Sequence, residues 1–279
     1  MGTPNLVLGG LGLGQVDPVT GVEFTTSVFE GWGGTSSTID PKQKTRAHGA
    51  WAGNAYFTAR NMLAGGLMIA PSESALDAAI DRLNDACGLD DTLLTVNEAR
   101  APRWCMARRS DVVLAAKQTD TIAKWSIQVV ADDPRKFSTP ITASTSLPSS
   151  SGGLTIPYTI PYSINAVQNS GQVSIFNPGN ETGPVVMRLD GPCVGPVITH
   201  IGSGLRLTFA ASATLGLGEF WDIDMEGQSV LAQGQATRAQ FITSRQWSGL
   251  EPGNNTFAFT AASYSAGALL TVTGTPADK

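Results

Sequence analysis

The sequence has few of the residues that enzymes and metal proteins use for chemistry. Its 279 residues include only two histidines, His48 and His200, and three cysteines, Cys87, Cys105 and Cys193. The cysteines are widely spaced in apolar surroundings, which fits neither a disulfide framework nor a zinc site with CxxC spacing. We predict that they are buried thiols of a protein made in a reducing compartment.

Catalytic and cofactor motifs are also missing. The sequence contains no G-x-S-x-G, HExxH, Walker A or EF-hand pattern, which removes support for most hydrolase classes. Gly10, Gly12 and Gly14 form a G-x-G-x-G run, but a Gln-Val-Asp-Pro segment follows where a dinucleotide-binding helix would begin. We therefore predict that the protein is not an enzyme and has no cofactor and no metal site.

The sequence has neither a surplus of basic residues nor a long apolar run. Its 18 Lys and Arg against 23 Asp and Glu give a net charge of −5, which disfavours tight binding to nucleic-acid phosphates. The longest apolar run, residues 62–70, is far shorter than the roughly 20 residues of a bilayer helix. Residues 1–14 lack a basic start and contain five glycines, unlike a secretory signal. We expect a protein that is soluble when synthesised, without membrane insertion.

Charge is distributed unevenly along the chain, which predicts two domains. Residues 1–137 contain 13 Lys and Arg and 15 Asp and Glu, whereas the remainder contains 5 and 8. An alternating strand ends at Asp132-Asp133-Pro134, where the composition changes. We predict a mainly β protein with an N-terminal α+β domain over residues 1–137, a Ser/Thr/Pro/Gly linker over residues 138–153 and a C-terminal domain over residues 154–279.

The first half contains one predicted helix with an acidic outer face. Ser72 can cap this helix, Gly88 ends it, and apolar residues recur between them at helical spacing. Asp77, Asp81 and Asp85 lie on the opposite face, which is either solvated or a docking face for a basic partner. The predicted strands are residues 21–29, 54–70, 92–96, 103–109, 112–117 and 123–131, the second bent where two glycines interrupt it.

Residues 33–53 form a long polar segment between two predicted strands. They are rich in Gly, Ser, Thr and Lys and include Lys42, Lys44, Arg46 and His48. Connections of this length inside a compact domain are usually functional or disordered. We therefore predict an arm at residues 33–53.

The second half has an all-β pattern, with Gly and Pro between strands that recur about every ten residues. This pattern predicts a β-sandwich or jelly roll. The predicted strands are residues 154–160, 172–176, 185–189, 197–201, 205–210, 220–225, 229–233, 238–243, 255–261 and 267–273. Asp222 and Asp224 point from one face of a strand, either as a solvated face or, with Glu226, as a weak calcium site. No third type of ligand converges on them in sequence, which favours the solvated face.

Several passages together resemble a known family. They are Glu30-Gly31-Trp32 before the polar segment, His48-Gly49, Arg60 before Gly65-Gly66, residues 125–136, Asn177-Pro178-Gly179-Asn180, Gly183-Pro184, Gly191-Pro192, Leu217-Gly218-Glu219 and residues 247–254. Their order and spacing resemble the distal tail proteins of long-tailed bacteriophages (siphoviruses), in the form called minor tail protein in phages of actinobacteria. The resemblance covers nearly the whole chain.

This resemblance implies a structural virion protein located at the tail tip and assembled in the cytoplasm of the host bacterium. It implies an N-terminal ring-forming domain and a C-terminal galectin-like β-sandwich, with six copies closing a ring. Such a ring joins the tail tube and the tape-measure end to the baseplate or tail-tip hub, and DNA passes through it only in transit. The expected ring-interface or arm residues are Lys42, Lys44, Arg46, His48, Arg60, Asp77, Asp81 and Asp85. In departure from relatives, the sequence has no aromatic, basic C-terminal tail and no large inserted carbohydrate-binding module.

A carbohydrate-binding β-sandwich that recognises the host surface is the alternative function. Jelly rolls often bind glycans through exposed aromatic side chains, and Tyr158, Tyr162 and Tyr264 are the candidates. Structural roles for these tyrosines are favoured.

Overall fold

A computed structural model describes residues 5–151, 167–263 and 265–279. The chain divides into two compact units, with the boundary between Ser138 and Thr139. Each unit has its own cluster of buried apolar side chains. The predicted strand at residues 154–160 lies outside the described residues.

The first unit contains one large antiparallel sheet and a helix. Its strands are β1 (Asn5–Leu8), β2 (Leu11–Leu13), β3 (Glu23–Glu30), β4 (Ser37–Ile39), β5 (Lys42–Gln43), β6 (Ala50–Trp51), β7 (Ala55–Phe57), β8 (Arg60–Ile69), β9 (Thr92–Asn97), β10 (Pro102–Arg109), β11 (Leu114–Lys117), β12 (Ile122–Ala131) and β13 (Lys136–Phe137). The sheet has the order β2-β1-β9-β10-β12-β8-β3, with β11 beside the first half of β12 and β13 beside β10.

The predicted helix is confirmed as α1 (Glu73–Ala86). The Ser72 side chain caps it by accepting a hydrogen bond from the N–H of Ala75 (3.2 Å). Leu76 and Leu83 on its apolar face are fully buried, which stabilises the fold by roughly 1.5–3 kcal/mol for each side chain. Among the described residues, no helix is long and apolar enough to cross a membrane.

The predicted long strand over residues 54–70 is wrong, because it consists of two strands, β7 and β8. The pairing of β8 with β12 runs through both glycines without a register shift. The irregularity lies in β3, between Thr26 and Val28. A Cβ atom on Gly66 would collide with the carbonyl oxygen of Thr25. The glycine therefore allows β3 to approach β8 closely.

A buried carboxylate joins the turn before β3 to helix α1. Asp17 is 1% exposed and accepts hydrogen bonds from the hydroxyl (2.6 Å) and N–H (3.2 Å) of Thr20. Nε of Arg82 lies 3.1 Å from its Oδ2. Burial raises the pKa of Asp17, but the hydrogen bonds from Thr20 and Val19 and the charge of Arg82 outweigh burial, so the pKa is lowered.

The second unit is a β-sandwich. Its strands are β14 (Ile141–Ser146), β15 (Ser149–Ser151), β16 (Val167–Asn169), β17 (Gln172–Asn177), β18 (Val185–Asp190), β19 (Cys193–Val194), β20 (Val197–His200), β21 (Arg206–Phe209), β22 (Thr214–Leu215), β23 (Phe220–Asp224), β24 (Ser229–Ala232), β25 (Ala236–Thr237), β26 (Ile242–Arg245), β27 (Gly253–Thr260), β28 (Leu269–Gly274) and β29 (Ala277–Asp278). The two main sheets have the orders β14-β28-β18-β23-β24-β25 and β17-β27-β20-β21-β26. Alternate residues from both sheets form one buried core.

Two predictions about the second half are wrong. Residues 138–153 are not simply a linker, because strand β14 pairs with β28 along its whole length. This edge strand consists mostly of Ser and Thr, so its sequence lacks the alternation of apolar residues that identifies a strand. The Thr142 hydroxyl lies 2.9 Å from that of Thr273 on β28. The predicted strand 238–243 begins as a 3-10 helix (Ala239–Phe241), and β26 starts only at Ile242.

The three cysteines are free and buried, as predicted. Burial raises the pKa of the Cys87 thiol to about 11, that of Cys105 to about 12 and that of Cys193 to about 11. The thiols therefore stay protonated at neutral pH and are poor nucleophiles.

A buried polar network holds the loop before β27. The Asn255 side chain accepts from the N–H of Glu251 (2.8 Å) and donates to its carbonyl oxygen (2.7 Å). His200 Nε2 lies 3.1 Å from Asn255 Oδ1, and its Nδ1 lies 2.7 Å from the Ser203 hydroxyl. Because Oδ1 is an acceptor, Nε2 donates to it. His200 thus has a structural role.

We predict that Asn255→Ala lowers the free energy of unfolding by about 2–4 kcal/mol, because it leaves several buried polar groups without partners. Urea unfolding measures this loss. Asn254→Ala is the control, since Asn254 is exposed and its replacement should cost less than about 0.5 kcal/mol. Equal losses in the two variants would contradict the assignment.

Asp17 makes stability depend on pH in the acid range. Because its pKa is lower in the folded chain than in the unfolded chain, its contribution is complete above about pH 4 and is lost as the pH falls through the folded pKa. We expect the free energy of unfolding of Asp17→Asn to vary less than that of the parent between about pH 4 and pH 2. Urea titrations at several pH values test this, with exposed Asp120→Asn as control. Parallel curves for Asp17→Asn and the parent would show that Asp17 makes no such contribution.

Candidate functional site

The arm predicted at residues 33–53 is a β-ribbon rather than a loop. Strand β4 pairs with β7, and β5 pairs with β6 further from the main sheet. Where the ribbon begins, the N–H of Thr58 donates to the carbonyl oxygen of Ser36 (2.9 Å), and their hydroxyls also lie 2.9 Å apart. The arm is defined from here on as residues 36–58.

The arm exposes large apolar side chains. Ile39, Trp51, Tyr56 and Phe57 are between 47% and 68% exposed. An isolated two-stranded ribbon is only marginally stable in water. Exposed apolar side chains on such a ribbon make the arm a candidate interaction surface.

The arm is also basic. Lys42, Arg46 and His48 are exposed, and the Lys44 ammonium lies 4.9 Å from the centroid of the Trp51 ring. The only carboxylate in the arm is that of Asp40. The structure therefore places the sequence candidates Lys42, Lys44, Arg46 and His48 on one ribbon.

Arg60 is not a surface residue of the arm, and its prediction as an interface residue is wrong. It is 1% exposed. Its Nε and Nη2 donate to the carbonyl oxygen of Pro134 (2.9 and 2.7 Å), and its Nη1 donates to that of Trp32 (2.6 Å) and, at 3.2 Å, to that of Gly31. Arg60 therefore fixes the point at which the arm leaves the sheet.

The Trp32 side chain belongs to the same buried cluster as Arg60. Its indole N–H donates to Glu98, which also accepts from Arg103. The Arg60 guanidinium and the Lys136 ammonium each lie 5.7 Å from the Trp32 ring centroid, which is within the range of cation–π attraction. No local sequence pattern identifies this cluster, because its members come from four separate segments.

The acidic helix face is exposed, as the helical spacing predicts. Asp77, Asp81 and Asp85 all lie on the outer surface of α1. Lys117 Nζ lies 2.6 Å from Asp77 and 3.5 Å from Glu73, and the hydrogen bond to Asp77 raises the pKa of Lys117. Within the described residues, no ion pair engages Asp81 or Asp85.

The main sheet also has an apolar groove of about 530 Å³ on its outer face. Val28, Leu63 and Leu114 line it, and Gly65 and Gly66 form part of its floor. Val28 is 41% exposed and Leu114 is 59% exposed. Sequence reasoning did not identify this groove, because its residues come from four strands that are separate in the sequence.

The acidic pair of the second unit lies on the solvent side of β23, as predicted. Trp221, which precedes Asp222, and Ile223, which lies between the two aspartates, are buried. One oxygen of Asp224 accepts from the N–H of Glu226 (3.0 Å), so this carboxylate caps a turn. No group of three potential metal ligands occurs among residues 5–151, 167–263 and 265–279. Tyr158, Tyr162 and Tyr264 lie outside the described residues.

We predict that Arg60→Lys lowers the free energy of unfolding by about 2–4 kcal/mol, because an ammonium cannot reproduce the forked hydrogen bonds to three carbonyls. The arm should also open more often, so trypsin should cleave faster after Lys42, Lys44 and Arg46. Urea unfolding and timed proteolysis measure the two effects. The control is Arg206→Lys at an exposed position, and equal behaviour of the two variants would contradict the role of Arg60.

Comparisons with known proteins show what fold this is. No protein-family model and no curated protein sequence matches the chain. The chain is similar to the Dit protein (gp 19.1) of phage SPP1, which is described as a paradigm of the hub adsorption apparatus in phages that infect Gram-positive bacteria. The TM-score is 0.67 at 13% identity, covering 98% of this chain and 99% of that chain. It is also similar to a chain of the phage P2 baseplate in its activated conformation with Ca, with a TM-score of 0.51 at 11% identity and coverage of 91% and 90%. The chain therefore shares its fold, over nearly its whole length, with phage hub and baseplate proteins.

Proposed function

We propose that this chain is a structural protein of a phage tail tip, a distal tail protein of a siphovirus that infects an actinobacterium. The observation that carries the proposal is the fold shared with SPP1 Dit over 98% of the chain. The scarcity of catalytic motifs supports a role that depends on shape and assembly. In this proposal the protein has no enzymatic activity.

The proposed assembly is a ring of six copies located in the virion. The ring links the tail tube and the tape-measure end to the baseplate or tail-tip hub, and it forms in the cytoplasm of the host. DNA crosses it only in transit, and the net charge of −5 supports passage without strong binding.

A closed ring requires two different surfaces on each subunit, because each copy contacts its neighbours head to tail. The first unit offers such a pair. One surface is the arm, with the exposed cations Lys42 and Arg46, and the other is the acidic face of α1, with Asp81 and Asp85. We propose that the arm of one copy lies on the helix face of the next.

Charge and apolar surface have different roles in this contact. Each exposed ion pair contributes only about 0.2–1 kcal/mol, so charge sets register and association rate more than affinity. Trp51 and Tyr56, both more than 60% exposed, supply the apolar area that drives association. Asp77 contributes less to the contact, because Lys117 already neutralises it.

We predict that Lys42→Glu/Arg46→Glu weakens self-association about tenfold at low salt, because it places like charges against Asp81 and Asp85. Adding Asp81→Lys/Asp85→Lys to the same chain should restore assembly, since the reversed surfaces are again complementary. Native mass spectrometry across protein and salt concentrations measures the subunit number. Arg206→Glu is the control, an exposed arginine outside the arm. Failure of the fourfold variant to recover assembly would exclude this pairing.

Removing the whole arm tests its role in assembly without relying on charge. Replacing residues 36–58 by a Gly-Gly turn should leave the first unit folded, because the arm strands contribute no residue to the buried core. We expect the shortened chain to remain monomeric at concentrations where the parent forms hexamers. Unchanged hexamers would mean that the arm is not an assembly element.

Electron microscopy of antibody-labelled phage particles tests the proposed location of the protein in the virion. Label anywhere other than the tail tip would overturn the proposed function.

A further inference from the structure

Four carboxylates form one row along the outer face of α1. Glu73, Asp77, Asp81 and Asp85 follow each other at intervals of four residues, and all are exposed. Residues at this interval are neighbours on a helix surface, about 6 Å apart along its axis. The row therefore consists of two successive pairs of the same kind, an N-terminal pair (Glu73 and Asp77) and a C-terminal pair (Asp81 and Asp85).

The N-terminal pair already holds a cation from a neighbouring strand. Nζ of Lys117, the last residue of β11, lies 2.6 Å from Asp77 and 3.5 Å from Glu73. The ammonium thus bridges two carboxylates one helical turn apart, and the hydrogen bond to Asp77 raises the pKa of Lys117. This arrangement shows how a lysine on a strand fits against the outer face of α1.

The C-terminal pair has no such cation. The last turn of α1 contains no basic residue, although the partial negative charge at a helix C-terminus favours a cation there. The N–H of Arg109 donates to the carbonyl oxygen of Gly88 just beyond the helix (3.2 Å). Among residues 5–151, 167–263 and 265–279, however, neither its guanidinium nor any other cation forms an ion pair with Asp81 or Asp85. The C-terminal pair is therefore the less compensated part of the row.

The arm has a lysine in the same setting as Lys117. Lys42 lies in the short strand β5, is exposed and makes no ion pair in the described part of the chain. The Lys44 ammonium instead lies over the Trp51 ring, and Arg46 lies in the turn between β5 and β6. Lys42 is thus the cation that the strand itself presents to another surface.

We infer that Lys42 of one copy bridges the C-terminal pair of the next copy, in the way that Lys117 bridges the N-terminal pair within each copy. The pairing rests on the proposed contact between the arm and the helix, and it fixes the register of that contact. Lys117 keeps the arm away from the N-terminal pair, because a second ammonium would meet carboxylates that are already neutralised. Lys117 is therefore a specificity-determining residue, which selects one of two similar positions along the helix.

A single register matters for a closed ring. The two pairs are eight residues apart, which corresponds to about 12 Å along the helix axis. An arm that occupied either position would give neighbouring copies two different relative placements. A ring closes only when every contact repeats the same rotation, so a mixture of registers would produce open chains.

The test is the rescue of assembly by a second substitution. We expect Asp81→Asn/Asp85→Asn to weaken self-association about fivefold at low salt, because the docking pair loses its charge. Adding Lys117→Gln frees Glu73 and Asp77 for the arm, so the triple variant should regain the affinity of the parent to within about twofold. Native mass spectrometry across protein concentrations measures both changes.

The matched control adds Lys124→Gln to the same Asp81→Asn/Asp85→Asn variant. Lys124 is an exposed lysine of β12, the strand beside β11. Its replacement changes the net charge by the same amount but frees no carboxylate of α1, so it should not restore affinity. All the substituted side chains are exposed, and circular dichroism checks that each variant keeps the helix.

Failure of Lys117→Gln to restore affinity, or equal restoration by Lys124→Gln, would overturn the inference. An Asp81→Asn/Asp85→Asn variant that associates as tightly as the parent would also overturn it. The proposed contact fails separately, when Lys42→Glu/Arg46→Glu leaves the association of the parent unchanged. A parent that stays monomeric at every concentration would overturn the inference, while the labelling of phage particles still decides the proposed function.

Discussion

The position of the arm depends on one buried guanidinium. Arg60 joins the end of β3, the start of the arm and the turn after β12 through carbonyl oxygens of Gly31, Trp32 and Pro134. Within the described residues it has no carboxylate partner, so the dipoles of these carbonyls replace water around its charge. Burial lowers the pKa of Arg60, yet an arginine remains charged at every physiological pH. This anchor of the arm, the hydrogen bonds from Arg60 to the three carbonyl oxygens, therefore does not depend on pH.

This anchor separates a stable base from an exposed surface. The sheet and α1 enclose a buried core, whereas the arm strands contribute nothing to it. Apolar side chains such as Trp51 and Tyr56 are exposed to water. Under the proposed function, the free energy of burying them is available to assembly and not to folding. The charges on Lys42 and Arg46 would then keep the arm hydrated before the proposed contact forms.

Regular patterns could be predicted from the sequence, and contacts between distant segments could not. Helix α1 was predictable because its cap and apolar spacing are local, and β23 because apolar residues alternate in it. Strand β14 has mostly Ser and Thr, so nothing in its pattern separates it from a linker. Arg60 was mistaken for a surface residue, because only the fold brings Pro134 and Trp32 around it.

The pairing of β14 with β28 affects how the protein is made. These strands are the earliest and nearly the latest described strands of the second unit, and they are hydrogen-bonded neighbours. The sandwich therefore stays incomplete on the ribosome until residues 269–274 emerge, whereas strands β1 to β13 have all been synthesised by residue 137. During translation the first unit can fold while the second still exposes apolar strands. Chaperones are thus expected to act mainly on the second unit.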